Sequence, residues 1–367
     1  MKMSGAKMVI ESLHQEGVEV VFGYSGGAIM NVYDEIYKQN YFEHILNRHE
    51  QACVIAAEGY ARSTGKTGVA IVTSGPGFTN AITGIADAYM DSIPVVIISG
   101  QVPTTIIGTD GFQEIDAVGI SRPCTKHNYL VNKIEDLPRI IKEAFHLAST
   151  GRPGPVHVDI PKDITAQIGE FIYPSEVNMP TYKPTLNYNK KQLKRAMEAI
   201  SNAKKPLLYI GGGAILSNCG YEIRDLAKKL NIPAVETLMA RGVMGDENPL
   251  FFGMLGMHGE YAANMAAHET DLLISLGARF DDRVTGRLDE FASKAKVIHI
   301  DIDPTSIAKL VVADYPIVGD LKLTVEAMIE DSENYEINDF SNWVELLKDY
   351  REKEPLRYID TDDLIKP

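Results

Sequence analysis

The sequence predicts an α/β protein with two doubly wound domains, each built on a mainly parallel sheet. Short apolar runs alternate with amphipathic segments through most of the 367 residues, as in α/β folds. Continuous β-branched runs such as 95–98 indicate strands that are buried on both faces, which is typical of parallel sheets. The alternation stops between about Thr165 and Tyr188, in a stretch rich in proline and tyrosine. That interruption predicts a linker between two domains.

The first domain is predicted over residues 1–165. Val9, Ile10 and Leu13 fall on one face of a first helix, and a short apolar strand follows it. Apolar runs and helices then alternate up to a last strand that ends at Pro161. The predicted helices are 6–16, 28–39, 51–64 and 78–90, and the predicted strands are 18–22, 44–46, 68–73, 94–99 and 154–161.

The second domain is predicted over residues 190–325, after a linker of residues 166–189. It begins with helix 191–203 and strand 206–210, which leads into a turn of three glycines and a helix that ends near Leu230. Further apolar runs predict strands at 234–236, 272–276, 297–302 and 316–318. Residues 326–367 are predicted to form a helical, charged tail.

The composition excludes several classes of protein. Apolar residues make up 45% and charged residues 23%, as in ordinary globular proteins. A net charge of −14 argues against a nucleic-acid partner. No uncharged apolar run approaches the length of a membrane span, and the N-terminus does not resemble a signal peptide. The three cysteines lie far apart, which supports neither a disulfide framework nor a zinc site. We therefore expect a cytoplasmic protein without a nucleic-acid or membrane partner.

Glu50 is the first candidate for chemistry. The segment Asn47–Gln51 places this carboxylate between an apolar strand and an alanine-rich helix. A carboxylate that rigid elements hold away from water suits proton transfer on a bound cofactor. The alternative is that Glu50 only faces the positive end of the helix dipole.

Two glycine-containing turns in the first domain are candidate ligand sites. Gly23–Gly27 joins a strand to a helix, and its paired glycines allow close approach of a ligand. Ser74–Asn80 opens a helix, whose exposed N–H groups favour polar or anionic groups, but it lacks the GK[ST] ending of a P-loop. Plain connecting turns remain the alternative for both.

Lys162, directly after a strand, could attract a carboxylate substrate or be a simple surface charge.

The second domain has a corresponding group of strand-end segments. Gly211–Gly213 sits where a Rossmann phosphate turn would lie, but Leu216 occupies the third glycine position. Gly277–Arg283 and Asp301–Pro304 carry arginines that could hold a diphosphate and acids that could accept a ribose hydroxyl. The alternative is a solvated cluster of ion pairs. His258 lies among glycines without a neighbouring Cys or carboxylate, so no metal ligands are predicted in this chain.

Taken together, these segments closely resemble the large catalytic subunit of the acetolactate synthase (acetohydroxyacid synthase) family, from about Ser4 to Pro367. Many ordered matches are far more specific than any single motif. The motifs that carry the resemblance are 21–28 (VFGYSGGA), 48–51 (RHEQ), 73–77 (TSGPG), 86–94 (ADAYMDSIP), 108–114 (GTDGFQE), 125–131 (TKHNYLV), 256–259 (GMHG) and 278–286 (ARFDDRVTG).

The resemblance implies a pyrimidine-binding domain, a central FAD-binding domain and a third domain that binds the diphosphate of thiamine diphosphate through Mg²⁺. It implies decarboxylation of pyruvate and its condensation with a second 2-ketoacid, such as 2-ketobutyrate, in isoleucine and valine biosynthesis. It also implies a structural FAD, a homodimer or homotetramer with the thiamine cofactor between two subunits, and a regulatory small subunit. Glu50 would be the catalytic residue, hydrogen-bonded to N1′ of the cofactor's aminopyrimidine.

The family's other site residues carry over by motif. The residues matched to the thiamine site are Gly26, Gly27, Gly75, Gly77, Asn80 and Gln113, and those matched to the substrate approach are Gly27, Phe112, Gln113 and Lys162. The residues matched to FAD contacts are Arg152, Gly211, Gly212, Gly213, Leu238, Met239, Gly256, Met257, His258, Gly277, Ala278, Arg279, Asp281, Arg283, Asp301, Ile302 and Asp320.

The sequence also departs from the family pattern. Ser25 stands where proline is usual, Phe78 replaces an alanine, and Ala240–Arg241 replaces a Gly-Leu pair. No Gly-Asp-Gly with a following Asn occurs after residue 300, so the Mg²⁺ and diphosphate ligands are expected outside this chain. We therefore expect a fragment, a split subunit or a truncated reading frame that is inactive alone.

Other functions stay open at this stage. One is another thiamine-diphosphate enzyme, such as a pyruvate oxidase or a 2-ketoacid decarboxylase. Glyoxylate carboligase is disfavoured, because that family has an apolar residue in place of Glu50. Another is a non-catalytic module that kept two domains.

Overall fold

The computed structural model describes residues 1–355, and the chain divides between Lys183 and Pro184 into two compact units. Each unit contains a six-stranded sheet in which all the strands are parallel. The predicted fold class is therefore confirmed. The division falls within the segment 166–189 that the sequence predicts as a linker. Within residues 1–355, no helix combines the length and apolar character needed to cross a lipid bilayer.

The first unit is a doubly wound sheet with short added elements. Its strands are β1 Lys2–Ser4, β2 Val20–Gly23, β3 Glu43–Leu46, β4 Gly68–Val72, β5 Val95–Gln101, β6 His127–Leu130, β7 Val156–Pro161 and β8 Ile168–Glu170. Its helices are α1 Gly5–Gln15, α2 Met30–Lys38, α3 Glu50–Thr64, α4 Pro76–Asp91, α5 Ala117–Ser121, α6 Leu137–Ser149 and α7 Lys162–Ala166.

The sheet order positions the candidate site of the first unit. The strands run in the order β3-β2-β4-β5-β7-β6, so the direction of winding reverses between β2 and β4. One core lies between the sheet and helices α1, α2 and α6, and a second core lies between the sheet and helices α3 and α4. Ligands of open α/β sheets bind beyond the carboxyl ends of the strands at such a reversal. The turns after β2, β3 and β4 occupy this place.

A two-stranded ribbon joins the two ends of the first unit. β1 pairs with β8 in antiparallel fashion, with Lys2 opposite Glu170 and Ser4 opposite Ile168. Residues 168–170, inside the predicted linker, are therefore a paired strand rather than irregular chain. The N-terminal segment is held by backbone hydrogen bonds to this strand.

The second unit repeats the doubly wound plan. Its strands are β9 Pro206–Ile210, β10 Ala234–Glu236, β11 Phe251–Met254, β12 Leu272–Leu276, β13 Lys296–Asp301 and β14 Tyr315–Val318. Its helices are α8 Lys190–Asn202, α9 Gly213–Leu216, α10 Gly220–Leu230, α11 Tyr261–Glu269, α12 Asp282–Thr285, α13 Leu321–Asp331 and α14 Ser341–Lys353. The order β11-β10-β9-β12-β13-β14 reverses the winding between β9 and β12.

The predicted tail 326–367 contributes to the core of the second unit. In α14, the side chains of Trp343, Val344 and Leu347 are buried in the same cluster as the strands. The Trp343 indole Nε1 donates a hydrogen bond of 2.9 Å to the Pro206 carbonyl. The helix therefore packs as an integral part of the fold. The last residues of the predicted tail, 356–367, lie outside the described residues.

Candidate functional site

Glu50 is the first residue of α3, directly after the turn that follows β3. Its side chain is only 6% exposed. The Oε2 atom accepts a hydrogen bond of 3.0 Å from the Asn80 side-chain amide of α4. The preceding residue, His49, caps the helix by accepting from the Gln51 N–H at 3.2 Å. The carboxylate is thus buried, fixed by a neighbouring helix, and located at the edge where the sheet reverses.

Two glycines in the turn after β4 allow the backbone of that turn to pack against Glu50, Thr73 and Gln113. A Cβ at Gly77 would lie 3.3 Å from Glu50 Oε1 and 2.5 Å from the Thr73 methyl. Gly75 has a φ of 60°, and a Cβ there would lie 2.7 Å from the Gln113 carbonyl. Both positions therefore require glycine. The structure thus brings Glu50, Gly75, Gly77, Asn80 and Gln113 together, while their role in cofactor binding stays a prediction.

The turn after β2 completes this edge. Gly26 lies against the Thr73 side chain, so that a Cβ there would approach within 2.5 Å of it. A Cβ at Gly27 would meet nothing within 4 Å, which leaves the backbone open to a ligand. Ser25, which departs from the family pattern, is exposed.

Buried polar atoms without partners surround the same place. Within residues 1–355, Thr73 Oγ1, His44 Nε2 and Asn47 Oδ1 are buried and make no hydrogen bond to protein atoms. Such atoms are costly unless a ligand or water satisfies them. A heteroaromatic ring with nitrogen donors and acceptors fits this set of carboxylate, amide and hydroxyl groups. The residues are therefore compatible with the aminopyrimidine that the first unit is predicted to bind.

The surroundings of Glu50 are poorly solvated. Burial raises the pKa of the Cys53 thiol to about 12, with a smaller contribution from the Glu50 charge. Burial also raises the pKa of Tyr33, and the nearby Cys53 and Glu50 add to the effect. The pKa of His44 is lowered by burial. Charge–charge interactions are stronger in such an environment than in water.

The segment between β5 and α5 places Phe112 and Gln113 next to this site. Gln113 has a φ of 58° and packs on Gly75, while the Phe112 ring is 90% exposed. Glu114 holds the loop closed by accepting hydrogen bonds from the backbone N–H groups of Gly108 and Gly111, and these bonds lower its pKa. An exposed phenylalanine on a braced loop can contact a molecule that approaches Gly75.

For three other residues of the first unit, the structure shows positions and contacts that do not involve Glu50. Lys162 begins α7 after β7, and β4 and β5 separate β7 from β2 in the sheet. Arg152 follows α6, where its Nε donates to Ser92 Oγ at 2.7 Å. Phe78 is fully buried and stacks on His157 with ring centroids 4.2 Å apart. Its ring therefore fills the core under α4 and does not narrow the site.

In the second unit, the glycine turns after β9 and β12 pack directly on each other. The Gly213 N–H donates to the Gly277 carbonyl at 3.0 Å. A Cβ at Gly211 would lie 2.3 Å from the Gly277 carbonyl oxygen. Gly277 itself has a φ of 66°. The close packing of these two turns requires glycine at these positions, with or without a bound ligand.

The charged residues of the same edge form local contacts. Arg279 pairs with Asp281 at 2.8 Å, both about one third exposed, and Asp281 caps α12. Asp320 caps α13 by accepting from the Leu323 N–H. Asp301 Oδ1 accepts from the Asp303 N–H at 2.9 Å. The Arg279–Asp281 pair matches the alternative of a solvated ion-pair cluster, so the flavin contacts predicted at 277–283 and 301–302 stay predictions.

Apolar side chains are exposed beside these turns. Leu238 is 72% exposed and Met257 is 63% exposed, and Met239 lies within van der Waals distance of Gly212. Within residues 1–355, the hydroxyl groups of Tyr209 and Thr237 are buried without partners. Exposed apolar groups together with unpaired buried hydroxyls suit a large planar ligand with polar substituents. The second unit is thus compatible with a flavin.

The structure adds residues that the sequence did not suggest. The Asn264 side chain of α11 clamps Gly256, accepting from its N–H at 3.0 Å and donating to its carbonyl at 3.1 Å. Glu236, fully buried, accepts from the N–H groups of Gly242 and Met244. These contacts fix the loops that carry Leu238, Met239 and the segment 256–258. Within the described range 1–355, no group of three or more His, Cys, Asp or Glu side chains is arranged to hold a metal ion.

Comparisons with known proteins agree with this division. Residues 3–120 match the thiamine pyrophosphate enzyme N-terminal TPP binding domain, and residues 193–328 match the thiamine pyrophosphate enzyme central domain. The whole chain is 50% identical to an acetolactate synthase large subunit of Haemophilus influenzae and 48% identical to the acetolactate synthase isozyme 3 large subunit of Escherichia coli. It is 47% identical to a probable acetolactate synthase large subunit of Methanocaldococcus jannaschii. The chain spans 65%, 65% and 62% of these three relatives, respectively.

Proposed function

Because the chain belongs to the thiamine pyrophosphate enzymes, we propose that residues 1–367 are the first two domains of an acetolactate synthase large subunit. The proposed reaction is decarboxylation of pyruvate and its condensation with a second pyruvate or 2-ketobutyrate, in isoleucine and valine biosynthesis. The observation that carries the proposal is the buried Glu50 carboxylate, held by Asn80 beside Gly77 at the reversal of the sheet. Roughly 50% identity to acetolactate synthase large subunits supports the choice of reaction.

Each residue of this site has a defined task in the proposed reaction. Bound thiamine diphosphate supplies a nucleophilic carbon and an electron sink for the decarboxylation. Glu50 would hold a proton at N1′ of the pyrimidine ring, and Asn80 would fix the orientation of that carboxylate. Gly27 would leave its backbone open to the ring, Gly26 and Gly77 let their turns pack against Thr73, and the burial of Glu50 would exclude water from the proton. Phe112 and Gln113 would contact the ketoacid. Lys162 begins a different helix, and its attraction of the ketoacid carboxylate is a separate prediction from the family resemblance.

The proposed reaction can be tested by its product. Residues 1–367 would be combined with the remaining third of the Haemophilus influenzae relative and supplied with thiamine diphosphate, Mg²⁺, FAD and pyruvate. Acetolactate is the expected product. Acetaldehyde as the main product would favour a 2-ketoacid decarboxylase, and acetyl phosphate with oxygen consumption would favour a pyruvate oxidase. Normal binding of both cofactors without any turnover would favour a non-catalytic two-domain protein.

Residues 1–367 alone are expected to fold and yet not to turn over pyruvate. Each unit has its own core, so a cooperative thermal transition is expected. We propose that the oxygen ligands of Mg²⁺ and the diphosphate site belong to the region that the relatives have beyond the matched span. Addition of that region should restore acetolactate formation. Clear turnover by residues 1–367 alone would contradict the proposed location of the Mg²⁺ site.

We also propose that the second unit binds FAD as a structural cofactor. The proposal is supported by the exposed Leu238 and Met257, the unpaired buried hydroxyls and the arginine at the end of β12. Replacement of Arg279 by alanine is expected to raise the Kd for FAD about tenfold to 100-fold, because a charge-assisted hydrogen bond to the diphosphate is lost. Flavin fluorescence titration measures the change. Arg287→Ala is the matched control, since Arg287 is 70% exposed and pairs only with its neighbours Asp289 and Glu290 within the described residues. An equal effect of the two substitutions, or equal affinity for NAD, would contradict the flavin assignment.

The remaining partners are also proposals. We propose a homodimer or homotetramer in the cytoplasm, together with a regulatory small subunit. The first unit exposes Ile55 and Met90 on helices α3 and α4, which also carry Glu50 and Asn80. The proposed second subunit would cover these apolar side chains. Sedimentation of the FAD-bound protein would determine the number of subunits.

A further inference from the structure

Four polar side chains form a connected network beneath helices α4 and α5, apart from the contacts of Glu50. Ser99 and Gln101 extend from β5, and His157 and Asp159 extend from the neighbouring β7, all at most 3% exposed. Ser99 Oγ lies 2.7 Å from His157 Nε2 and 2.5 Å from Asp159 Oδ1. Gln101 Nε2 donates to Asp159 Oδ2 at 2.9 Å. Buried polar networks of this kind are costly unless every member is satisfied, and they tend to fix one arrangement.

The charges in this network are unusual. The groups that hydrogen-bond to the Asp159 carboxyl are the neutral Ser99 hydroxyl and Gln101 amide. Burial raises the pKa of Asp159 to about 7, with a smaller contribution from the charge of Asp116 at the start of α5, while the hydrogen bonds from Ser99 and Gln101 oppose the shift. Burial lowers the pKa of His157 to about 3, so the imidazole is neutral near pH 7. Asp159 is therefore a buried acid that exists in both protonation states near neutral pH.

One proton on Asp159 reverses the direction of the hydrogen bonds without any movement of heavy atoms. When Asp159 is ionised, Ser99 donates to it, His157 Nε2–H donates to Ser99, and Ser121 Oγ donates to His157 Nδ1 at 3.1 Å. When Asp159 is protonated, it donates to Ser99, and Ser99 donates to His157 Nε2. His157 Nδ1–H then donates to Ser121, which donates to the Ala117 carbonyl at 2.8 Å. Both arrangements keep the network connected.

Gln101 connects the network to the segment that carries Phe112 and Gln113. Its Oε1 accepts from the Val102 N–H at 2.9 Å, and its Nε2 donates to the Ile115 carbonyl at 2.9 Å. Val102 and Ile115 are the two ends of this segment. One buried amide, itself held by Asp159, thus ties both ends together.

We propose that Gln101, held by Asp159, is a positioning residue that fixes the segment 102–115 and so places Phe112 and Gln113 beside Gly75. The role of that segment at a ketoacid site rests on the proposed function, whereas its fixation by Gln101 does not. No residue of the network needs to contact substrate or cofactor.

Hydrogen exchange of residues 1–367 tests the fixation directly. In Gln101→Met, which keeps the length of the side chain but makes no hydrogen bonds, exchange of the Val102, Gly111 and Glu114 amides should accelerate at least tenfold. Ser121→Ala is the matched control, because Ser121 is equally buried in the network but does not contact the segment. Asp159→Asn should keep slow exchange, since asparagine can donate to Ser99 and accept from Gln101 as the protonated acid does. Unchanged exchange in Gln101→Met, or equal acceleration in Ser121→Ala, would overturn the proposal.

Two further measurements keep the test decisive. If Gln101→Met lacks a cooperative melt, Gln101→Glu replaces it, and exchange of the Gly111 and Glu114 amides should again accelerate at least tenfold, because a carboxylate cannot donate to the Ile115 carbonyl. The Val102 amide keeps its acceptor in this variant and serves as the internal reference. In the complete enzyme, Gln101→Met should raise the KM for pyruvate several-fold more than it lowers kcat, because Glu50 is untouched. An equal loss in both constants would indicate a role other than positioning of the ketoacid segment. Absence of turnover in the unsubstituted enzyme would contradict the proposed function and leave the exchange result standing.

The pH dependence of stability gives an independent measurement on Asp159. The pKa of this carboxyl is about 7 in the folded chain and has an ordinary value of 3.8. The folded state therefore holds the proton more tightly, so the stability of the unsubstituted protein should fall as pH rises from about 4 to about 7. Asp159→Asn has no titrating carboxyl at this position and so lacks this dependence of stability on pH. The contribution of His157 to the pH dependence is the same in both proteins. As pH rises across that range, the folding equilibrium constant of Asp159→Asn divided by that of the unsubstituted protein should increase by up to about 10³-fold. A ratio that does not depend on pH would show that Asp159 does not exchange its proton in this network.

Discussion

Replacement of Glu50 by glutamine is expected to lower acetolactate formation by the complete enzyme about 10²–10⁴-fold, the usual contribution of a positioned acid–base group. The amide keeps the shape of the side chain and can still contact Asn80, which lies 3.0 Å from Oε2 in the native protein. In the proposed reaction, the amide could not hold the proton at N1′ as the Glu50 carboxylate would. The rate would be measured with saturating thiamine diphosphate, Mg²⁺ and FAD, so that weaker cofactor binding does not lower it.

Glu58→Gln is the matched control for this substitution. Glu58 lies two turns further along α3 and is also buried, but its carboxylate pairs with Arg62 rather than with the site. The control should keep its rate to within a factor of about three, while its thermal midpoint reports any loss of the ion pair. If Glu50→Gln forms acetolactate at a rate within a factor of two of that of the unsubstituted enzyme, Glu50 has no role in the mechanism.

Replacement of Trp343 by alanine is expected to lower the free energy of unfolding of the second unit by about 3–5 kcal/mol. The indole is 3% exposed, and it fills the core between α14 and the strands. The substitution leaves a cavity and also removes the hydrogen bond to the Pro206 carbonyl. The change would be followed by circular dichroism in denaturant, because Trp343 is the only tryptophan in the chain and the variant loses its fluorescence.

An exposed position on the same helix provides the control for Trp343. Glu345 is 67% exposed and pairs with Lys348, so Glu345→Ala should change the free energy of unfolding by no more than about 0.5 kcal/mol. A loss below about 1 kcal/mol in Trp343→Ala would mean that α14 is a peripheral helix, as the sequence alone predicts for this region.

The fold class and most central strands could be predicted because their sequence pattern is strong. β9 and β12 are five-residue runs that are fully buried, and their observed bounds equal the predicted ones. The edge strands β6 and β11 escaped prediction, since His127 and Asn128 are polar and Gly253 interrupts a short apolar run. Edge strands need less apolar surface than central ones, so their pattern is weak. Helix α6 is missing from the predicted helices, although Ile140, Ala144 and Leu147 lie on one buried face with helical spacing.

The candidate site could be predicted only in part. Glu50 and the glycine turns are visible in the sequence, because each follows a strand and begins a helix. Contacts between a side chain and a distant backbone are not visible. The Asn264 amide clamps Gly256 across eight residues, and Gln101 reaches the Ile115 carbonyl across fourteen. Such pairs depend on the path of a loop, which local patterns do not specify.

The pairing of β1 with β8 has a consequence for synthesis on the ribosome. Residues 2–4 cannot form their ladder until residues 168–170 have been made, because Lys2 lies opposite Glu170. At about 5–20 residues per second, a nascent chain needs roughly 10–30 s to reach that point. Residues 2–4 are therefore among the last of the first unit to become ordered, although they are translated long before residues 168–170, and their unpaired strand is available to chaperones or to other chains throughout that interval.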